Sequence, residues 1–182
     1  MERPERVRSK LGPEALFDYA LRLLSAQAQS LGELRRKLQQ RAQRPEEVPA
    51  ILTRLRQYGY LDDRRFAEGF STARLENQGF GPERVLRDLR RRQVAPRLAE
   101  EAVQAAYRGT DEVRLIEQYL RRKYRTVVQW EEYLAEPKHL AAIYRRLRHA
   151  GFSGAHILGV LTRWGGDADW LASAEEPAGS ET

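Results

Sequence analysis

Apolar residues along the chain recur every three to four positions, and the strict alternation that would mark a half-buried strand is hard to find. Leu16, Tyr19, Ala20, Leu23 and Leu24 fall at i, i+3, i+4, i+7 and i+8, the stripe of an amphipathic helix. Gly12-Pro13 stands at its start, where proline suits the first turn. Ser30 and Glu33 have the spacing of a capping box and open a second helix with the stripe Leu31, Leu34 and Leu38. Pro45 opens a third, carrying Val48, Ile51, Leu52 and Leu55, with Pro49 tolerated in its first turn and Gly59 at its end.

The pattern then recurs. After Asp62 or Asp63 as cap, Phe66, Ala67, Phe70 and Ala73 define a helix ending near Gly79; Gly81-Pro82 opens the next, and Pro96 a third that closes at Gly109. A shift of 51 positions lays Leu34 on Val85, Leu38 on Leu89 and Pro45 on Pro96. A further shift of 58 lays Val85 on Ile143 and Leu89 on Leu147. The expected fold is all-α: three tandem three-helix modules forming an elongated, curved array. Its expected boundaries are an N-terminal extension (1–13), modules at 14–61, 62–109 and 110–166, and an acidic, disordered tail (167–182). The third module carries an insertion at 125–137, read as a helix extension or an ordered loop.

Charge sharpens this picture. Residues 1–166 hold 32 basic and 21 acidic side chains, a net of +11, whereas 167–182 hold five acids and no base. A body this basic points to a polyanionic partner, although compositional bias toward Arg would produce the same excess. There is no cysteine, which excludes disulfides, thiolate metal sites and a cysteine nucleophile. The opening MERPERVRSKLGPE lacks an apolar core of the secretory kind, and no run approaches 18 apolar residues. The expectation is a cytoplasmic monomer with no membrane association.

Motifs that carry chemistry are scarce. No phosphate-cradling GxxxxGK and no GxGxxG occurs. His149 and His156 are separated by Gly151-Phe152-Ser153, which breaks any helix between them, so they form no i, i+4 metal pair. The acid pairs Asp62-Asp63, Glu100-Glu101 and Glu131-Glu132 are adjacent in sequence, and neighbouring helical side chains diverge by about 100°. No catalytic residue, cofactor site or metal site is therefore expected.

The basic positions are organised instead. Each module's middle helix carries a cluster: Arg35, Arg36, Lys37 and Arg41; then Arg87, Arg90, Arg91 and Arg92; then Arg145, Arg146 and Arg148. At the offsets above Arg36, Arg87 and Arg145 coincide, and Arg121, Arg122, Lys123 and Arg125 add a further patch in the last module. Repeated once per module, such a stripe suits a polyphosphate, which it would bind in a salt-dependent and sequence-tolerant way. The alternative reading is a set of solvated outer faces interleaved with acids such as Glu83 and Asp88.

The segment Gly59-Tyr60-Leu61-Asp62-Asp63-Arg64-Arg65-Phe66-Ala67 resembles the signature of the RecX family, regulators of the RecA recombinase. Ala20 to Ser25, Ser30, Glu33-Leu34 and Lys37-Leu38 upstream, and Gly79, Gly81-Pro82 and Leu86 to Leu89 downstream, extend the likeness over residues 14–108. The resemblance implies a non-catalytic regulator, mainly an inhibitor. It would bind RecA filaments on single-stranded DNA, and double-stranded DNA without sequence preference. It would also limit filament extension, ATP hydrolysis, strand exchange and the co-protease activity of the SOS response. Arg35, Arg36, Lys37, Arg87, Arg90, Arg91, Arg92, Arg121, Arg122, Arg145, Arg146 and Arg148 are the contact candidates. Gly59, Tyr60, Leu61, Asp62, Asp63, Phe66 and Ala67 read as mainly structural, with Tyr60, Leu61, Phe66 and Phe70 at the joint of the first two modules. The rival reading is a sequence-specific helix-turn-helix transcription regulator built on the helix pair between Ser30 and Gly59.

Overall fold

The computed structural model describes residues 10–175, and within them all regular structure is helical. The helices are α1 (Pro13–Ala26), α2 (Leu31–Arg41), α3 (Val48–Gln57), α4 (Asp63–Ala73), α5 (Pro82–Arg91), α6 (Pro96–Ala106), α7 (Glu112–Lys123), α8 (Trp130–Ala135), α9 (Pro137–Ala150), α10 (Gly154–Arg163) and α11 (Ala168–Glu175). A 3-10 turn over Pro45–Glu47 leads into α3, and α4 runs on as a π-helical turn over Arg74–Gln78. One isolated bridge pairs Leu11 with Ala42.

The caps follow the local chemistry. Ser30 closes the capping box on α2: its Oγ accepts from the Glu33 amide, and the Glu33 carboxylate accepts from the Ser30 amide. The two adjacent aspartates divide their work. Asp62 Oδ1 accepts from the Arg64 and Arg65 amides at 2.9 and 3.1 Å, capping α4, whereas Asp63 Oδ1 accepts from the Leu31 amide at 2.6 Å, capping α2. Each satisfies amides that the first helical turn leaves without partners.

The chain forms two compact units. One comprises the residues up to Phe70 together with Asp88–Ala102; the other comprises Ser71–Arg87 and the residues from Val103 on. The first unit is built on Leu16, Phe17, Ala20, Leu34, Leu38, Ala42, Val48, Ile51, Leu52, Leu55 and Leu61, which pack as one cluster. The second packs Leu115, Ile116, Tyr119, Leu120, Leu140, Ile143, Tyr144, Leu147, Phe152, Ile157, Val160 and Leu161, with Leu75, Phe80 and Tyr107 laid against them. Within it, Gly81 and Gly151 approach so closely that a Cβ on Gly81 would overlap the Gly151 carbonyl. The Gly81 amide donates to the Ala150 carbonyl at 2.8 Å, an approach that a side chain would prevent.

Two expectations change. The stretch from 167 was expected to be disordered, but residues 168–175 form α11, and Leu171 is fully buried against the second core. Leu171, with Trp170 packed edge-on against Tyr144, supplies the apolar anchor that the acidic composition conceals; residues 176–182 lie outside the described residues, as do 1–9. Tyr60 was expected in a core joint, yet it is 55% exposed, while its neighbour Leu61 is buried. The insertion at 125–137 holds the short helix α8, anchored by the buried Leu134.

Candidate functional site

The basic clusters lie on helices whose apolar stripes fix where the arginines point. Leu34 and Leu38 turn α2 inward and leave Arg35 and Arg36 exposed, with Lys37 half-buried at the flank. Leu140, Ile143, Tyr144 and Leu147 do the same for α9, leaving Arg145, Arg146 and Arg148 exposed. Val85 and Leu89 leave Arg87, Arg90 and Arg91 exposed on α5, with Arg92 half-buried beyond its end.

Partners separate these cations into two kinds. Arg92 is held on every side. Its Nη1 lies 3.1 Å from both carboxylate oxygens of Glu33, its guanidinium sits 5.0 Å from the centre of the Phe70 ring, and its carbonyl accepts from the Ser30 hydroxyl. Arg87 donates to the His149 carbonyl at 3.3 Å, and Arg148 donates to the Phe152 carbonyl at 2.9 Å, both near the end of α9. Arg122 donates to the Asn77 carbonyl at 3.2 Å and to that of Gln78, the last carbonyls of the π turn. Arg87 and Arg122 thereby satisfy helix-end carbonyls, and Arg148 satisfies one in the link between α9 and α10. Arg90 pairs with Glu100 at 3.1 Å and Arg91 reaches Asp88 at 4.0 Å.

The remaining candidates are uncommitted or lie over rings, apart from Lys37. Arg121 lies 5.8 Å from the Trp164 ring centre and Arg146 5.5 Å from that of Tyr124. Lys37 donates to the Gln29 side chain at 2.7 Å. Arg35, Arg36 and Arg145 have no side-chain hydrogen bond, ion pair or ring contact among the described residues. Nearby acids confirm how local the pairing is: hydrogen bonds from Arg97 and Arg64 hold the Glu101 carboxyl below its usual range.

The signature segment has mixed roles. Gly59 takes φ +72° after α3, a left-handed conformation that ends the helix without Cβ strain. Leu61 and Ala67 are buried, and Phe66 is half-buried and stacked on Phe70 at 6.0 Å. Tyr60 and Tyr58 form an exposed edge-to-face pair with ring centres 6.3 Å apart.

Sequence reasoning passed over two groupings. Tyr19 and Gln40 join Arg36, Lys37 and Arg41 around one cleft, and the i, i+4 spacing of 36/40 and 37/41 is the signal that places them on neighbouring stripes of α2. Ser153, His156 and Glu112 also converge, but both the Ser153 hydroxyl and the Glu112 carboxylate lie 2.8 Å from the same ring nitrogen, Nδ1. A nucleophile–base–acid relay needs the two on opposite nitrogens, so this cluster is a cap on α10. Among the described residues no group of three His, Asp or Glu side chains is placed to hold a metal, and no helix is long and apolar enough to cross a membrane.

Fold and surface thus define an all-α helical-module protein whose candidate site is a set of exposed cations on helix faces. Residues 17–55 match the first three-helix domain of RecX, and residues 62–103 match the second. The chain is 35% identical over 112 residues to the regulatory protein RecX of Trichlorobacter lovleyi, spanning 62% of this chain and 73% of that one. Against the RecX of Deinococcus radiodurans it is 33% identical over 144 residues, spanning 79% and 65% respectively. A solved RecX structure from Lactobacillus salivarius shares the fold with a TM-score of 0.62 at 20% identity, covering 84% of this chain and 96% of that one. The chain belongs to the RecX family.

Proposed function

We propose that this protein regulates the RecA recombinase without catalysis of its own, binding RecA filaments on single-stranded DNA and acting mainly as an inhibitor. Family membership carries the reading, since the chain and its relatives share the RecX domains and the relatives are named regulatory proteins. The uncommitted Arg35, Arg36 and Arg145 give it a physical basis, because cations without internal partners are free to meet phosphate or acidic protein surface. Bridging neighbouring protomers, or occupying the growing end of a filament, would slow turnover and extension through binding energy alone. Strand exchange and the co-protease activity of the SOS response would fall with it.

The test is the single-stranded-DNA-dependent ATPase of the cognate recombinase, titrated with this protein below one copy per recombinase. Strong substoichiometric inhibition is expected, because simple competition for DNA needs far more protein. No effect at stoichiometric amounts refutes the reading. Binding that depends on one duplex sequence instead would identify a helix-turn-helix regulator.

A further inference from the structure

We infer that the cleft between α1 and α2 is a phosphate-binding site. It has a volume of about 380 Å³, within the range of small-ligand sites, and is lined by Tyr19 and Leu23 of α1 and by Arg36, Lys37, Gln40 and Arg41 of α2. Three of these six side chains are cationic and none is acidic. The arrangement follows from helix geometry: 36 and 40 stack one turn apart, and 37 and 41 stack beside them at the edge of the core stripe formed by Leu34 and Leu38.

The cations carry unused hydrogen-bonding capacity. Arg36 has no side-chain partner among the described residues, leaving all five of its N–H donors open. Lys37 spends one of its three donors on Gln29. The Arg41 guanidinium lies 5.4 Å from the centre of the Tyr19 ring, and its Nε is buried without an acceptor.

Counter-charge is diverted elsewhere. Of the acids on α1 and α2, Glu14 pairs with Arg54 at 3.3 Å and Glu33 with Arg92 at 3.1 Å; Asp18 is exposed and does not line the cleft. Three cations crowded in one cleft repel each other, and an anion with several oxygens relieves that repulsion while filling the open donors. Phosphate presents such oxygens in a tetrahedral array, whereas a carboxylate offers two in a plane. The Arg41 guanidinium already lies over the Tyr19 ring, so the cleft would read a phosphate and leave bases unread.

The shared chemistry is a phosphate group, supplied either by the backbone of a nucleic-acid strand or by a free nucleotide. The inference rests on the filament-regulator reading for its first probe, single-stranded DNA. Fluorescence anisotropy with a labelled oligo(dT) over a salt series would compare the unaltered protein, the double variant R36Q/K37Q and a charge-matched control, R56Q/R65Q. Arg56 and Arg65 are exposed, have no side-chain partner among the described residues and lie outside the cleft. Each lost single-strand phosphate contact removes about 0.7 from the slope of log K against log salt. The R36Q/K37Q slope should therefore fall by about 1.4, and affinity at 0.1 M salt by about 25-fold. The control should change both by much less.

Equal effects in the two double variants, or none in R36Q/K37Q, overturn the proposal. The single variant R36Q, which breaks no side-chain hydrogen bond, ion pair or ring contact among the described residues, should lose about 0.7 of slope with its melting temperature intact, and failure to do so counts equally against it. Displacement of the oligonucleotide by a nucleoside triphosphate or inorganic phosphate at constant ionic strength assigns the source. Displacement that R36Q/K37Q abolishes means a free phosphate, and resistance to displacement means the strand. The two proposals fail separately. A slope that falls as expected in a protein that leaves the recombinase ATPase untouched keeps the cleft and discards the regulator. An unchanged slope in a protein that inhibits the ATPase does the reverse.

Discussion

Replacing Arg92 by alanine should unfold the protein more readily while sparing its binding. Within the first unit its guanidinium meets both oxygens of Glu33 at 3.1 Å, and the two side chains keep only 25% and 16% of their exposure. Removing one partner of a fully buried ion pair costs about 3–5 kcal/mol, because the other charge is left without compensation. Partial solvation here lowers that to about 2 kcal/mol, and loss of the cation over Phe70 adds about 0.5–1 kcal/mol. The total of about 3 kcal/mol corresponds to a drop in Tm of about 6–12 °C for a chain of this size. Arg91→Ala is the comparator: its side chain is 80% exposed and stands 4.0 Å from Asp88, so its removal should cost less than about 0.5 kcal/mol. Denaturant unfolding of both variants, with a double-mutant cycle through Glu33→Ala, measures the coupling. If Arg92→Ala melted like Arg91→Ala and instead lost DNA or filament binding, the assignment of Arg92 as an internal strut would be refuted.

Phe66→Ala should destabilise by about 2–3 kcal/mol in denaturant unfolding, below the range for a fully buried phenylalanine, because the ring is only half-buried on Phe70. Intact stability with lost partner binding would make Phe66 a surface contact. Leu171→Ala should cost about 2–4 kcal/mol, since Leu171 is fully buried; a change near zero would show that α11 contributes nothing to the second core. The Tyr107 hydroxyl donates to the Phe80 carbonyl at 2.6 Å, and burial, aided by the charge of Glu112, pushes its pKa well above the ordinary 10.0. A raised folded pKa gives stability that is complete below the unfolded value and is lost as pH climbs past it. Stability should accordingly decline above about pH 10, and Tyr107→Phe should flatten that decline at a cost of about 1 kcal/mol near neutrality, both read by unfolding across a pH series.

The helices were largely legible because their determinants are local. Ser30 with Glu33, Pro82 after Gly81, and Gly59, Gly79 and Gly109 in left-handed conformations mark ends within a turn of themselves. The π turn at Arg74–Gln78 and the anchoring of α11 by Leu171 were not, since both depend on what the rest of the fold brings near. The same division runs through the arginines. Arg35 and Arg92 look alike in sequence, but Glu33 reaches Arg92 across 59 positions and leaves Arg35 alone. A basic cluster read as one stripe is thus a mixture of struts and open cations. Tyr60 shows the converse, an aromatic whose type favours a core and whose position at the end of a left-handed turn leaves it exposed.

The first unit takes its residues from two stretches of chain, up to Phe70 and again at Asp88–Ala102, with 71–87 assigned to the other unit. On a ribosome, Arg92 emerges well after Ser30, Glu33 and Phe70, so the unit waits for its last stretch before its internal ion pair can close. A fragment ending after α4 has α2 capped by Asp63 but Glu33 without its arginine. Synthesis at roughly 5–20 residues per second makes that wait a matter of seconds. The order of the chain therefore ties the completion of one half to the arrival of sequence beyond the start of the other, and neither half can be cut free at a single peptide bond.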